Sequence, residues 1–453
     1  MPPLAILGTV VDAPAPGVVR VREGALVETD AAGRIIAVRT ADQPGHEKAV
    51  AEAKARPGFL RLGAQQHLLP GFVDLHVHAP QWPQAGKALD EPLERWLLAH
   101  TFPLEARFAD LGFARQVCEH LVTTLLANGT TTAVYYASTH LPASLALAEI
   151  CLRHGQRAFV GRVAMDHPET TAPFYRDADA EEAVALSEAH ARAVLGLPGN
   201  AGRLVQPVLT PRFIPACTDA LLAGLGRLAQ ELDLPVQTHC SEGDWEHGAV
   251  AARMGASDSV ALDRFGLLRR GTVLAHAVFL SEADRALIRA RGAAIAHCPL
   301  ANFFFANAVM PLGETLAAGL SVGLGTDIAG GAKAGLFDAA RQAMAASAAL
   351  ADGTDPALPP ERRGRGGARL DWRTALWLAT AGGAAALGLP VGRFEPGLEF
   401  DAILVEANRD DADLTLWPGL DTAEDAAQKI LLTMERPNVR RVWVRGVEVL
   451  RKP

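Results

Sequence analysis

Between residues 72 and 324 the chain repeats one local pattern: a short, continuous apolar run, then a longer stretch of helical character. The runs are Phe72–Val77, Thr130–Ala137, Ala158–Ala164, Leu204–Leu209, Pro235–His239, Val273–Val278, Ala293–Ala296 and Ser321–Leu324. Their length and β-branched content predict strands buried on both faces, which is the signature of a parallel sheet. Helices are predicted between them, among them Glu181–Leu195, Asp219–Leu232, Glu282–Arg291 and Leu336–Leu350. Ser281 and Asp284 form a capping pair at the start of the third. Eight such strands alternating with helices predict a (β/α)8 barrel, with a doubly wound open sheet as the competing α/β arrangement. The barrel is preferred because nearly every strand ends in polar or ionisable residues, and a barrel brings those ends to one rim.

The two ends of the chain read differently. Residues 1–69 carry short β-like runs separated by Gly17, Asp30 and Gly33, and a similar pattern returns at Phe400–Glu406 and Val439–Leu450. Residues 1–69 and 390–453 are therefore expected to build one small composite β-sandwich, flanking a barrel domain of residues 70–389. Residues 40–57, polar and with Pro and Gly, are expected to be a loop.

A net charge of −8 argues against a nucleic-acid partner. Five scattered cysteines without a Cys-x-x-Cys pair argue against a disulfide framework and for a reducing compartment. No apolar run reaches the roughly 18 residues that span a bilayer, and no signal peptide opens the chain. The expectation is a cytoplasmic protein acting on a small molecule, with neither membrane nor nucleic acid as partner.

Chemistry concentrates at the strand ends. The first strand ends at His76 and His78, which share one face because side chains alternate along a strand. Strand four runs into Thr210-Pro211-Arg212-Phe213 and strand five ends at His239-Cys240-Ser241-Glu242. Strand six ends at His276, strand seven at His297-Cys298-Pro299, and strand eight at Gly325-Thr326-Asp327. Each histidine alone reads as an ordinary hydrogen-bonded residue. Together, three or four imidazoles and a carboxylate at one rim form a site for Zn²⁺ or Fe²⁺. No lysine occurs between Lys87 and Lys333, so strand four has no group to bridge two metals, and one ion per chain is expected. Cys240 and Cys298 are read as small buried side chains.

The set His-x-His, His-x-x-Glu, His and Gly-Thr-Asp resembles the mononuclear deaminase branch of the amidohydrolase superfamily. Further segments are similar to its guanine deaminase family: His78-Ala79-Pro80-Gln81-Trp82, Thr101-Phe102-Pro103-Leu104-Glu105, Thr210-Pro211-Arg212-Phe213 and His297-Cys298-Pro299. The resemblance runs from about Leu4 to past Gly382. It implies one zinc ion, a homodimer, and hydrolysis of guanine to xanthine and ammonia by a metal-activated water. By position it makes His76, His78, His239 and Asp327 the metal ligands and Glu242 the proton shuttle. It sets His276 beside the reacting water, with Asp327 also acting on that water. Gln81, Trp82, Arg212, Phe213 and His239 are the implied substrate-binding residues. Leu300-Ala301 departs from the family, which carries a polar residue before the asparagine. That leaves other aminated heterocycles open (8-oxoguanine, a pterin or a triazine), with cyclic-amide hydrolysis and a non-catalytic barrel as remoter readings. Residues 83–110 are expected to cover the pocket.

Overall fold

The computed structural model describes residues 2–453. All eight anticipated runs form strands, and they close into a barrel. Strands one to four are Phe72–His78, Thr130–Tyr136, Arg157–Gly161 and Val205–Pro207, paired in parallel in that order. Strands five to eight are Val236–Cys240, Thr272–His276, Ala294–His297 and Ser321–Leu324, also parallel. A bridge from Leu209 to Val236 joins strand four to strand five. Strand eight meets strand one through two backbone bonds, Asp327 N–H to the His76 carbonyl and His78 N–H to the Ile328 carbonyl, both 2.8 Å. The residues that complete the ring are thus the ones expected to hold a metal.

Helices sheathe the barrel with their apolar stripes turned inward, and several start at a side-chain cap. In Asp219–Glu231, the Thr218 hydroxyl accepts from the Leu221 N–H, and Leu221, Leu222, Leu225 and Leu228 are buried. In Glu282–Arg291, Ser281 and Asp284 make the expected reciprocal capping box.

The terminal segments share one eight-stranded sheet, with Gln66–Pro70 paired to both Ala5–Ala15 and Ala402–Glu406. Both layers anticipated for a sandwich come from this single sheet, which curls until Arg34 bridges Glu399. Gly33, with φ of +78°, sits against the Arg445 carbonyl, where a Cβ would lie 1.8 Å from that oxygen, so only glycine fits the closure. Phe394, Phe400 and Trp443 pack inside with Ile6, Val10 and Val27. Arg157, buried at the base of strand three, reaches Glu399 at 2.7 Å and Asp401 at 3.1 Å, tying barrel to sheet.

One expectation fails here. Residues 40–57 are not a loop throughout: His46–Lys54 is an α-helix that lays Ala49, Val50 and Ala53 over Leu7 and Leu26. The prolines and glycines of the segment flank this run, with Gly45 as its N-cap, so none interrupts a stretch of good helix formers.

Candidate active site

The rim at the C-terminal ends of the barrel strands holds a buried cluster of nitrogen and oxygen donors. His76 and His78 leave strand one on one face, as the two-residue period requires. Asp327 Oδ1 lies 3.1 Å from His76 Nε2 and 3.5 Å from His78 Nε2. His78 Nε2 lies 3.0 Å from His239 Nε2. Donor atoms about 2.1 Å from one tetrahedral ion sit about 3.4 Å apart, which these spacings approximate. His239 Nδ1 donates to the Arg212 carbonyl at 2.6 Å, so its Nε2 keeps a free lone pair.

Burial, then the charge of Arg212, lowers His76 to about 3. Burial followed by neighbouring imidazoles puts His78 and His239 well below the ordinary histidine value. All three are thus neutral, the form that binds metal. The His76 and His276 Nε2 atoms are buried with no hydrogen-bond partner among the described residues. A buried nitrogen without a partner is costly, and a cation at this point removes the deficit. The donor set therefore fits one divalent ion.

His276 Nε2 stands 3.7 Å from Glu242 Oε1 and 3.8 Å from Asp327 Oδ2, and Asn302 Nδ2 approaches its other nitrogen at 3.2 Å. Burial raises both Glu242 and Asp327 well above the usual carboxylate range; for Glu242 the charge of Asp327 adds to this. Ser241, His276 and Asp327 all adopt positive φ, between 48° and 71°. Non-glycine residues pay for that conformation, and such strain collects where side chains must be aimed. Gly325 makes room: a Cβ there would come within 2.7 Å of the His76 Cβ and 2.9 Å of the Cys298 sulfur.

A cavity opens over this cluster. His78, His239, Glu242 and Asp327 form its floor side, with Gln81, Arg212 and Phe213 on the wall. Arg212 is buried and pairs two-pronged with Glu105, at 2.7 and 3.1 Å. Gln81 donates to the same carboxylate at 2.8 Å, and its carbonyl accepts from the Ala329 N–H at 3.3 Å. Arg212 also stacks over Phe102, 4.9 Å from its centroid.

Trp82 is a correction. It does not line the cavity; its indole N–H donates to His120 Nδ1 at 2.7 Å and the two rings stack. The chain turns into a short 3-10 helix at Ala79–Gln84, which sends Gln81 inward and Trp82 outward. Leu300 and Ala301 do not line it either. Residues 83–110 fold as short helical pieces, and Leu93, Trp96 and Leu97 from them form a wall with Phe305. His297 is buried with Nδ1 unpartnered and lies outside the metal-spaced groups.

Several residues here carry no role in the sequence reading. Asp74 accepts from the Thr326 hydroxyl at 2.6 Å, the Thr326 N–H at 3.0 Å and the His76 N–H at 3.2 Å. Its signal was present, since the two-residue period puts it on the face of His76 and His78. Tyr136 packs its ring 4.7 to 4.8 Å from His76, His78 and His239, and only the fold brings it there. Glu105 lies in a quoted motif, but its pairing with Arg212 spans 107 residues and no local pattern reports it.

The chain belongs to the amidohydrolase family, whose model matches residues 67–449. Within it, the chain stands with the guanine deaminases. It is 36% identical over 459 residues to guanine deaminase of Mus musculus, covering 99% of this chain and 97% of that one. The Homo sapiens guanine deaminase is likewise 36% identical, over 99% of this chain and 98% of its own. A crystal structure of guanine deaminase from C. acetobutylicum with bound guanine in the active site superposes with a TM-score of 0.87 at 26% identity, covering 99% of this chain and all of that one.

Proposed function

We propose that this chain is a zinc-dependent guanine deaminase that hydrolyses guanine to xanthine and ammonia with one ion per chain. The observation that carries the reading is a cavity lined by metal-spaced donors, the buried Glu242 carboxyl, and Gln81 and Arg212, the last two both held by Glu105. His76, His78, His239 and Asp327 would hold the ion, which supplies an activated water for hydrolysis when bound.

The chain's own residues do the rest. Arg212 spends two of its five donors on Glu105 and has others for a ring carbonyl oxygen. Gln81 offers a donor and an acceptor to a ring edge that presents both, while Glu105 holds Gln81 and Arg212 in place. Phe213 lies against the flat ring. Glu242, kept protonated by burial, donates to a ring nitrogen as oxygen adds to the amine-bearing carbon. It takes up the proton released by the water and delivers it to the amine, so the carbon–nitrogen bond breaks with ammonia leaving, and the proton left on the new hydroxyl returns to Glu242 as the carbonyl forms. His276, with Asn302 at its other nitrogen, orients the incoming oxygen.

Ammonia release from guanine, 8-oxoguanine, isoxanthopterin, adenine, cytosine and ammeline tests the substrate. Turnover of a pterin or a triazine with guanine untouched would sink the reading. We further propose a homodimer acting in purine breakdown, supported by the family resemblance, and a cytoplasmic location, supported by the scattered cysteines; light scattering at twice the protomer mass checks the dimer.

A further inference from the structure

Behind Glu242 lies a pair of buried carboxyls that the proposed reaction does not use. Glu246, on the first turn of Asp244–Met254, is fully buried. Its Oε2 accepts the Glu242 backbone N–H at 2.7 Å. Its Oε1 finds no donor, because it faces Asp258, another carboxyl. Asp258, also fully buried, accepts the Ser241 N–H at 3.0 Å and the Ser241 hydroxyl at 2.9 Å. The two carboxyls thus hold consecutive residues of the turn that carries Glu242.

That turn is strained and coupled to its neighbour. Ser241 has φ of +48°, and at the end of strand six His276 and Ala277 have +71° and +51°. The two bends lock together, the Ala277 N–H donating to the Cys240 carbonyl at 2.9 Å and the Val278 N–H to the Ser241 carbonyl at 3.0 Å. Residues held in this region are strained and persist only where their surroundings over-determine them.

We propose that Glu246, braced by Asp258, is a positioning residue that fixes Glu242 over the reacting atoms through its backbone N–H. The inference rests on reading Glu242 as the proton carrier. A helix of apolar residues could fill this space, so two buried carboxyls set against each other need a reason, and the held turn supplies it. Burial raises all three above their ordinary range, and for Glu246 the charges of Asp258 and Glu242 add to it. A protonated Glu246 accepts from Glu242 and donates to Asp258. A glutamine reproduces both bonds, its carbonyl toward Glu242 and its amide N–H toward Asp258.

The test compares Glu246→Ala with Glu246→Gln in the metal-loaded enzyme, by kcat and KM on guanine, metal content, and hydrogen exchange of the 240–246 segment. Displacing a catalytic group by an ångström costs about 10²-fold in rate, so the alanine variant should lose about that in kcat, with KM within about twofold. Its metal content should be unchanged and the Glu242 amide should exchange faster. The glutamine variant should stay within about fivefold of wild type. An alanine variant at wild-type kcat, or a glutamine variant as impaired as alanine, overturns the proposal. If the alanine variant does not fold, Glu246→Asp replaces it, since it withdraws the acceptor by one methylene and should lose kcat where glutamine does not. A wild-type enzyme silent on guanine would sink the functional reading instead, and the exchange comparison would still decide the positioning.

Discussion

His239 hands the proton on its Nδ1 to the carbonyl oxygen of Arg212, 2.6 Å away. This bond joins the two halves of the site. Its donor is a member of the metal-spaced cluster, and its acceptor belongs to the residue that walls the substrate cavity. The Arg212 backbone therefore fixes which nitrogen of His239 faces the cluster, while its side chain faces the cavity. One short segment at the end of strand four thus meets both the donor cluster and the cavity.

Glu242→Gln keeps the shape of the side chain and removes its capacity to exchange a proton. The expected outcome is a fall in kcat of about 10²-fold or more with metal content unchanged. Steady-state kinetics beside elemental analysis check it, and turnover at the wild-type rate would remove Glu242 from its assigned role.

Purified protein should carry about one zinc per chain, bound by four protein groups. His78→Ala and Asp327→Ala should each reduce that content and abolish deamination, and chelation followed by zinc should restore the wild type alone. A reproducible value near two would contradict a single-ion site.

Arg212 and Glu105 are both buried, so removing either charge strands the other. Arg212→Met or Glu105→Leu alone should cost about 3–5 kcal/mol in stability, and the double replacement clearly less than their sum. Chemical denaturation measures this. Equal and additive losses would show that the pair is not energetically coupled. All three variants should lose affinity for guanine.

Asp74 ties strand one to strand eight through three hydrogen bonds. Asp74→Ala leaves the Thr326 and His76 donors without an acceptor, at about 1–3 kcal/mol for each buried group left unpaired. A lower Tm together with weakened metal retention is expected, because the closing strands carry His76, His78 and Asp327. A variant with lowered Tm and intact metal affinity would confine Asp74 to barrel stability.

The barrel was legible because its signal is local. Strands covered on both faces are largely apolar, and all eight runs are. Ser281 and Asp284 announced a helix start for the same reason, since capping spans only three residues. The helix at His46–Lys54 was obscured by the prolines and glycines that bound it. Trp82 was misplaced because the strand period stops at His78, and the 3-10 turn that follows redirects neighbouring side chains.

The sequence by itself determined which chemistry was on offer: imidazoles at spacings that a strand places on one face, carboxylates beside them, and no bridging lysine. Only the tertiary structure decided the partnerships. Arg212 with Glu105, Asp74 with Thr326, and Tyr136 among the histidines join positions 58 to 252 residues apart. Glu246 against Asp258 is closer in sequence, yet it too crosses between helices. The physical reason is that these contacts depend on how the barrel closes and on where positive-φ turns aim the strand ends, and neither leaves a period in the chain.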